Sequence, residues 1–340
     1  MGMKLRILAV ITTLMIGAGF SLISCSGKNP TAPLAVATPA APKVNGGVVS
    51  TLAGNGSFGI VNGAVTVAEF EYPYGVAVDN SGNVYVSDNS GGDIRKISNG
   101  SVTTFATGFS SPWGLSVDAG GNVYVADESH YQIKKITPAG VVSVLAGNGT
   151  SGEVDGPGAS AEFKSPSGVA VDASGNVYVS DEYGYTIRKI TQSGGVSVTT
   201  LAGVANTSGY VDGAGTTAEF YYPYGLAVDS LGNVFVADED NNVIRKITPA
   251  GVVSTFTSSY YPNAIAIDSS NNVYVADDHN NIIEYSPTGV ETDLAGSGVS
   301  GSTNGTGVNA MFDYPLGLAV DASGVVYVSD SDNDLIRKIQ

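Results

Sequence analysis

Short segments in which apolar and polar residues alternate recur along most of the chain. In residues 76–79, 84–88 and 94–97, for example, such segments are separated by a turn with Gly82 and by a short polar loop. Alternation with a period of two, bounded by Gly, Asn and Pro, is typical of β-strands with one buried face. Because no stretch of useful length has a helical period, the pattern predicts an all-β protein.

The alternating segments form a unit that is repeated six times. Each copy opens on Pro-x-Gly or a close variant and continues through short segments of this kind, the first of which ends in Asp. The opening prolines are Pro73, Pro112, Pro166, Pro223, Pro262 and Pro315. Four strands repeated every 39 to 57 residues predict a six-bladed β-propeller whose blades are four-stranded antiparallel sheets. Long loops precede blades 1, 3, 4 and 6, and short ones precede blades 2 and 5.

The two ends of the repeated region complement each other. The last copy stops after its third segment, residues 335–339, whereas residues 47–52 form an unpaired fourth segment ahead of the first copy. We expect the N-terminal segment to complete the sixth blade, because that pairing removes the open edge between the first and last blades.

The repeated motif resembles a known family. Residues 73–79 read Pro-Tyr-Gly-Val-Ala-Val-Asp, residues 82–88 read Gly-Asn-Val-Tyr-Val-Ser-Asp, and the basic pair Arg95-Lys96 follows in the third segment. This order resembles the NHL repeat, and the resemblance covers residues 46–340. It implies the propeller fold but leaves the activity open, because one fold carries many functions.

The first 45 residues have a different character. Lys4 and Arg6 precede an apolar run over residues 7–20, and Leu-Ile-Ser-Cys at 22–25 resembles the bacterial lipobox. The resemblance implies that residues 1–25 are a signal peptide and that Cys25 is lipidated. Residues 26–45, with four prolines, are interpreted as a tether. We therefore expect an exported protein, held at a membrane of the bacterial cell envelope by its lipid.

The charge of the chain narrows the choice of partners. Without Lys4 and Arg6 the chain has 13 basic and 31 acidic residues, a net charge of −18. Such a protein has no basic face for nucleic acid. Cys25 is its only cysteine, so a disulfide within the chain is excluded. We expect a monomer whose partner is a protein, a peptide or a glycan of the cell envelope.

The loops predict which face binds that partner. In a propeller blade the loops between second and third strands share one face, here called the top face, with the connections between blades. These loops are long, varied and acidic, whereas the opposite turns are short and uniform, so we place binding on the top face. The residue after each opening proline should encircle the channel there and contact the ligand with aromatic and polar groups. These candidate ligand-binding residues are Tyr74, Trp113, Ser167, Tyr224, Asn263 and Leu316.

Blade 5 supplies a second candidate site. Ile283 and Glu284 occupy the positions of the basic pair, so Asp277 lacks the expected partner, and Asp278 and His279 lie beside it. This acidic cluster is a candidate site for Ca²⁺ or another divalent cation, although drift of one blade explains the change equally well. No other cofactor is expected.

These features favour a non-enzymatic binding or scaffold protein, and no catalytic residue is assigned. The alternative is a divalent-metal-dependent hydrolase or lyase, similar to a lactonase, acting at the channel mouth. A zinc site of three histidines is excluded, because the chain has only His130 and His279. A third interpretation makes the disc a rigid spacer within an envelope complex.

Overall fold

Six antiparallel sheets are arranged around one axis in the computed structural model, which describes residues 46–340. The predicted signal peptide, Cys25 and the tether lie outside the described residues. The inner strand of each sheet contacts the inner strands of the sheets on both sides, and the sixth contacts the first, so the ring is closed. The predicted six-bladed propeller is confirmed. Within residues 46–340, no helix has the length and apolar character needed to cross a membrane.

Each blade runs from an inner first strand to an outer fourth strand. The first strands are Pro73–Val78, Pro112–Val117, Pro166–Val171, Pro223–Val228, Pro262–Ile267 and Pro315–Val320. The second strands are Val84–Asp88, Val123–Asp127, Val177–Asp181, Val234–Asp238, Val273–Asp277 and Val326–Asp330. The third strands are Asp93–Ser98, Gln132–Ile136, Thr186–Thr191, Val243–Ile247, Ile282–Tyr285 and Leu335–Ile339. The fourth strands are Ser101–Thr107, Val142–Ala146, Ser197–Ala202, Val252–Ser258, Glu291–Ala295 and, for blade 6, Val48–Ala53.

The N-terminal strand closes the ring as predicted. Val48–Ala53 pairs antiparallel with Leu335–Ile339, with Val49 opposite Ile339 and Thr51 opposite Arg337. One sheet therefore holds both ends of the described chain.

Four blades differ from the predicted four strands, because a two-residue fifth strand pairs with the outer edge. These strands are Gly63–Ala64, Gly156–Pro157, Gly213–Ala214 and Gly305–Thr306, in blades 1, 3, 4 and 6. Each comes from the long loop ahead of its blade and covers an exposed sheet edge. Blades 2 and 5, which follow short loops, have four strands.

Short 3₁₀-helices occupy several of the loops. Four follow second strands on the top face: Glu128–His130, Glu182–Gly184, Glu239–Asn241 and Ser331–Asn333. Two others lie in the long loops, at Gly215–Thr217 and Gly307–Asn309.

The core is divided among the interfaces between blades. Six hydrophobic clusters each combine side chains of two neighbouring blades. Between blades 2 and 3, for example, Tyr124 and Ile133 pack with Phe163, Val177 and Ile190, all at most 1 % exposed. Each blade is thus stabilised by its neighbours, and the ring is the unit that buries the core.

Glycine in the Pro-x-Gly motif allows the inner strands to approach closely. A Cβ atom on Gly168 would lie 2.4 Å from the main-chain oxygen of Tyr224 in the next blade, and one on Gly75 would lie 2.6 Å from that of Trp113. The side chain of the second-strand serine fits into the same contact, where Ser180 Oγ also accepts a hydrogen bond from Gly168 N. The motif therefore sets the narrow bore of the channel.

A buried ion pair fastens the long loops to their blades. In blade 1 the Arg95 guanidinium contacts Asp88 at 2.6 Å, and both side chains are fully buried. Arg95 also donates to Glu69 O, Val61 O and Asn62 Oδ1 in the long loop. Equivalent arginines bind Asp155, Asp212 and Asn304 in blades 3, 4 and 6. Each of these Asn and Asp residues directly precedes a glycine in its loop, so this repeated Asn/Asp-Gly pair has a structural role.

Candidate functional site

The six residues predicted to encircle the channel all line one pocket at its top end. Ser167, Asn263, Leu316 and Tyr74 are at most 7 % exposed, and Trp113 and Tyr224 are partly buried. The cavity between them measures about 50 Å³, which is room for a few water molecules only. A ligand of the size of a sugar or a peptide would therefore contact this pocket from above.

Three aromatic rings fill the pocket because they pack against each other across the axis. The ring centroids are 4.7 Å apart for Tyr74 and Trp113, 5.5 Å for Trp113 and Tyr224, and 6.2 Å for Tyr74 and Tyr224. The Trp113 indole donates to Ser111 Oγ at 2.8 Å, whereas the buried Tyr74 hydroxyl has no hydrogen-bond partner among the described residues. Burial, together with Tyr314 and Glu239, raises the pKa of Tyr224 well above its ordinary value. The aromatic residues close the channel, and their part in ligand binding stays a prediction.

A ring of polar side chains lies above this aromatic plug. It consists of the residue after the aspartate that ends each second strand, which is acidic in blades 2 to 5. The six residues are Asn89, Glu128, Glu182, Glu239, Asp278 and Ser331. Three contacts show that they point toward the inner strands: Glu128 accepts from Ser165 Oγ at 3.2 Å, Asp278 accepts from Asn263 Nδ2 at 2.8 Å, and Ser331 Oγ donates to Pro73 O at 2.5 Å.

The carboxylate ring gives the channel mouth a negative charge. The predicted acidity of the top loops did not single out these four side chains. Their fixed position, one residue after the second-strand aspartate, was the signal that could have found them. Because the plug below them is apolar, the arrangement suits a ligand with a cationic or hydroxyl group next to an apolar one.

Tyrosines surround the mouth on the top face, and six of them have a left-handed backbone. Their φ angles lie between +35° and +61°. Four of these tyrosines immediately precede a first-strand proline, and the other two immediately follow a 3₁₀-helix. They are Tyr72, Tyr222, Tyr261, Tyr314, Tyr131 and Tyr185. Hydrogen bonds to the preceding blade hold three of these tyrosines in place. The main-chain amides of Tyr72, Tyr261 and Tyr314 donate to the side chains of Asp334, Asn242 and Asn280, respectively.

Part of this tyrosine set forms an exposed cluster between blades 3 and 4. Tyr183, Tyr185, Tyr221 and Tyr222 have ring centroids 4.9 to 6.2 Å apart. Tyr183 and Tyr221 are 36 % and 37 % exposed. These rings offer a rigid apolar surface with hydroxyl groups at its edge, which is suited to protein and carbohydrate ligands.

The structure does not bring the candidate metal ligands of blade 5 together. Asp277 accepts from the main-chain amides of His279 and Asn281, each at 3.0 Å, and Asp278 turns to Asn263. The His279 ring stacks on Tyr260 with centroids 3.6 Å apart. Residues 46–340 contain no group of three or more His, Cys, Asp and Glu side chains placed to hold a metal ion.

The ring of six sheets and its central channel define the class: the protein is a six-bladed β-propeller. Four of its blades are NHL repeats, since the NHL repeat family matches residues 109–136, 163–190, 220–247 and 312–339, in blades 2, 3, 4 and 6. The predicted resemblance is confirmed.

Known proteins are similar to this chain either over a short part of the sequence or over the whole propeller at low sequence identity. A 96-residue part, 28 % of the chain, is 38 % identical to Protein SUPPRESSOR OF QUENCHING 1, chloroplastic, of Arabidopsis thaliana, and it spans only 9 % of that protein. A Bacteroides thetaiotaomicron protein of unknown function is similar with a TM-score of 0.69 and 21 % identity, over 86 % of this chain and 75 % of its own. A gluconolactonase of Xanthomonas campestris has a TM-score of 0.61 at 12 % identity, over 89 % and 98 % of the two chains. These structural likenesses show the fold alone.

Proposed function

We propose that this NHL propeller is a binding module of the bacterial cell envelope, whose top face binds a protein, a peptide or a glycan. The observation that carries the proposal is the set of six tyrosines at left-handed φ. A bulky residue in that conformation costs on the order of 1–3 kcal/mol. Gly92 and Asn242 occupy, in blades 1 and 4, the position of Tyr131 and Tyr185. The backbone at this position therefore does not require tyrosine. We attribute the presence of Tyr131 and Tyr185 to a function of their aromatic rings.

Charge supports a particular kind of partner. The mouth carboxylates and the net charge of −18 favour basic or hydroxyl-rich ligands over anions, and they disfavour nucleic acid. Attraction of a basic partner over the whole face would raise its association rate at low ionic strength.

The tyrosines provide the test. Tyr131→Asn with Tyr185→Asn keeps side chains that tolerate a left-handed backbone, so we expect an unchanged melting temperature. We expect capture of the envelope partner by crosslinking in native cells to fall at least tenfold, because two rings of the binding surface are lost. Tyr210→Asn is the matched control, since Tyr210 is 54 % exposed in the long loop outside the cluster. Unchanged capture by the double variant would reject the top face.

The alternative function is a metal-dependent hydrolase or lyase, similar to a lactonase, at the channel mouth. It is favoured by the carboxylates that stand there beside the Asn263 amide. Calcium-dependent hydrolysis of a sugar lactone by the wild-type chain, lost in Asp278→Asn, would replace the binding proposal.

We propose in addition that Cys25 anchors the propeller to the membrane through its lipid, with residues 26–45 as the tether. Two or more acyl chains on one residue hold a protein durably at a membrane. We expect an alkyne-tagged fatty acid to label the wild-type chain and the membrane fraction to contain it. Labelling that persists in Cys25→Ser would contradict the anchor.

A further inference from the structure

A groove opens beside blade 5, on the side that faces blade 4. Its walls include Ser259 and Tyr260 from the connection between the blades, and Asp277, Tyr285 and Asp293 from blade 5. It measures about 730 Å³, which is ample for one long side chain. The groove is separate from the aromatic plug in the channel.

The other five blades show what this location normally contains. In each, the aspartate that ends the second strand pairs with a cation of the third strand at 2.5 to 3.5 Å. The five cations are Arg95, Lys134, Arg188, Arg245 and Arg337. Each cation lies over a phenylalanine three residues before the first-strand proline, 4.9 to 5.3 Å from the ring centroid. Carboxylate, cation and ring thus form one packed unit.

Blade 5 has lost two of these three parts and kept the third. Ile283 replaces the cation, opposite Val275 in the same register as Arg95 opposite Val86. Ser259, three residues before Pro262, replaces the phenylalanine. Asp277 remains and is 2 % exposed. The paired loss of a cation and its ring explains why a groove exists here.

Two buried polar groups face the groove: Asp277, which lacks the cation found in the other blades, and Ser259. No Lys or Arg of residues 46–340 forms an ion pair with Asp277, whose hydrogen bonds come from the loop that follows it. The Ser259 side chain is 7 % exposed, and its Oγ lies near the Tyr285 hydroxyl but forms no hydrogen bond of good geometry with any described residue. The neighbouring Tyr285 hydroxyl donates to Ser258 O instead. A buried carboxylate without a cation, next to a buried hydroxyl without a good hydrogen bond, favours a ligand that donates hydrogen bonds and carries a positive charge.

The outer wall adds further negative charge. Asp293 stands opposite Ile283, where the fourth strands of the five-stranded blades have threonine, and Glu291 stands opposite Tyr285. Blade 5 has no fifth strand to cover this wall. Blade 2 lacks one too, but Lys134 and Phe109 fill its interface. The groove is therefore the one of the six equivalent locations that is both open and acidic within the described chain.

We propose that the blade 5 groove binds the arginine side chain of a partner polypeptide, which supplies from outside the cation that the other blades contain. Four of the five internal cations are arginine, and a planar guanidinium can pair with Asp277 while stacking on a tyrosine ring. Free arginine is a poorer ligand, because its own carboxylate would face Glu291 and Asp293. In a polypeptide that group is a neutral amide.

The test uses the full-length protein and Nα-acetyl-arginine amide as the probe, followed by calorimetry or NMR titration. We expect saturable binding, at least tenfold weaker for free arginine and for the citrulline analogue, which has the same shape without the charge. Asp277→Asn should weaken binding at least tenfold. Glu69→Gln, an acidic residue in the loop before blade 1, is the matched control and should bind as the wild type does.

A second variant rebuilds the internal unit. Ile283→Arg with Ser259→Phe places a cation and a ring where the other blades have them, so we expect a higher melting temperature and no probe binding. Binding that survives in Asp277→Asn, or equal binding of arginine and citrulline analogues, would overturn the proposal. Displacement of the probe by Ca²⁺ with direct Ca²⁺ binding to Asp277 would assign the groove to a metal ion instead. The tyrosine variants leave the groove intact, so failure here and failure at the top face are distinguishable.

Discussion

One guanidinium in blade 3 faces three carboxylates. Arg188 lies 2.6 Å from Asp155, 3.4 Å from Glu153 and 3.5 Å from Asp181. Burial, and then the Asp181 carboxylate, raise the pKa of Glu153 far above its ordinary value. The Glu153 and Asp181 side chains are buried, Asp155 is about half exposed, and Arg188 is the cation that these carboxylates share, so the site favours the form of Glu153 that holds a proton. Blades 1 and 4 have Ile60 and Tyr210 at this position.

This proton predicts a pH dependence of stability. A carboxyl group whose pKa is raised by folding stabilises the folded state fully below its unfolded pKa, about 4.3. The contribution is lost as the pH rises from there toward the raised folded value. We expect Glu153→Gln, which keeps the donor without a titratable proton, to be less sensitive to pH between 5 and 8 than the wild type.

Urea unfolding at several pH values measures this difference. Glu162→Gln is the control, because Glu162 is in the same blade and its side chain accepts from Asn148 in an exposed hydrogen bond. Parallel curves for the wild type and Glu153→Gln would show that Glu153 is ionised.

At the scale of the element, the N-terminal strand does more than lengthen a sheet. Val49 belongs to the cluster between blades 5 and 6, and Ala53 to the one between blades 6 and 1. Both are at most 2 % exposed. The strand therefore seals two interfaces as well as one sheet edge.

Truncation tests this role. A chain that begins at Gly54 loses the strand, whereas a chain that begins at Gly46 keeps it and is the control. We expect removal of the strand to cost more than the roughly 3 kcal/mol of one large-to-small core substitution. The melting temperature should fall by about 10 °C relative to the control. Equal melting temperatures would contradict closure by this strand.

Elements with strong periodicity were predictable, and elements fixed by tertiary contacts were not. The alternating segments and the orphan strand at residues 47–52 predicted the ring and its closure. The fifth strands contain two residues each, too few to show any alternation, and they form because an arginine fastens the loop beside the sheet edge. The side chains after the opening prolines were predicted to encircle a mouth. Tyr74, Trp113 and Tyr224 instead meet across the axis, because glycine brings the inner strands so close.

Blade 5 differs from the other blades at two positions whose side chains pack together in those blades, and only one of the two changes is evident from the sequence. The missing basic residue at Ile283 is visible in the sequence because it falls in a repeated strand, whereas the matching change at Ser259 lies in a connection whose length varies between blades. Only the stacking of each cation on its phenylalanine in the folded protein shows that the two positions belong together.

The ring formed by residues 46–340 has two kinds of blade, which differ at their outer edges. Blades 2 and 5, three positions apart, have no fifth strand, and the other four do. Blade 2 retains the Lys134–Asp127 pair at its flank, while blade 5 has the groove. The two proposed binding sites, the tyrosine-lined mouth on the top face and the blade 5 groove, are therefore separate from each other.

Val49 and Ile339, which face each other in blade 6, are 290 positions apart in the chain. During synthesis the first strand leaves the ribosome long before its partner exists, so the sixth sheet is the last to be completed. Such a long loop closure slows folding. For the exported protein proposed above, this delay would keep the ring open for passage through a membrane pore until its sixth blade has been made.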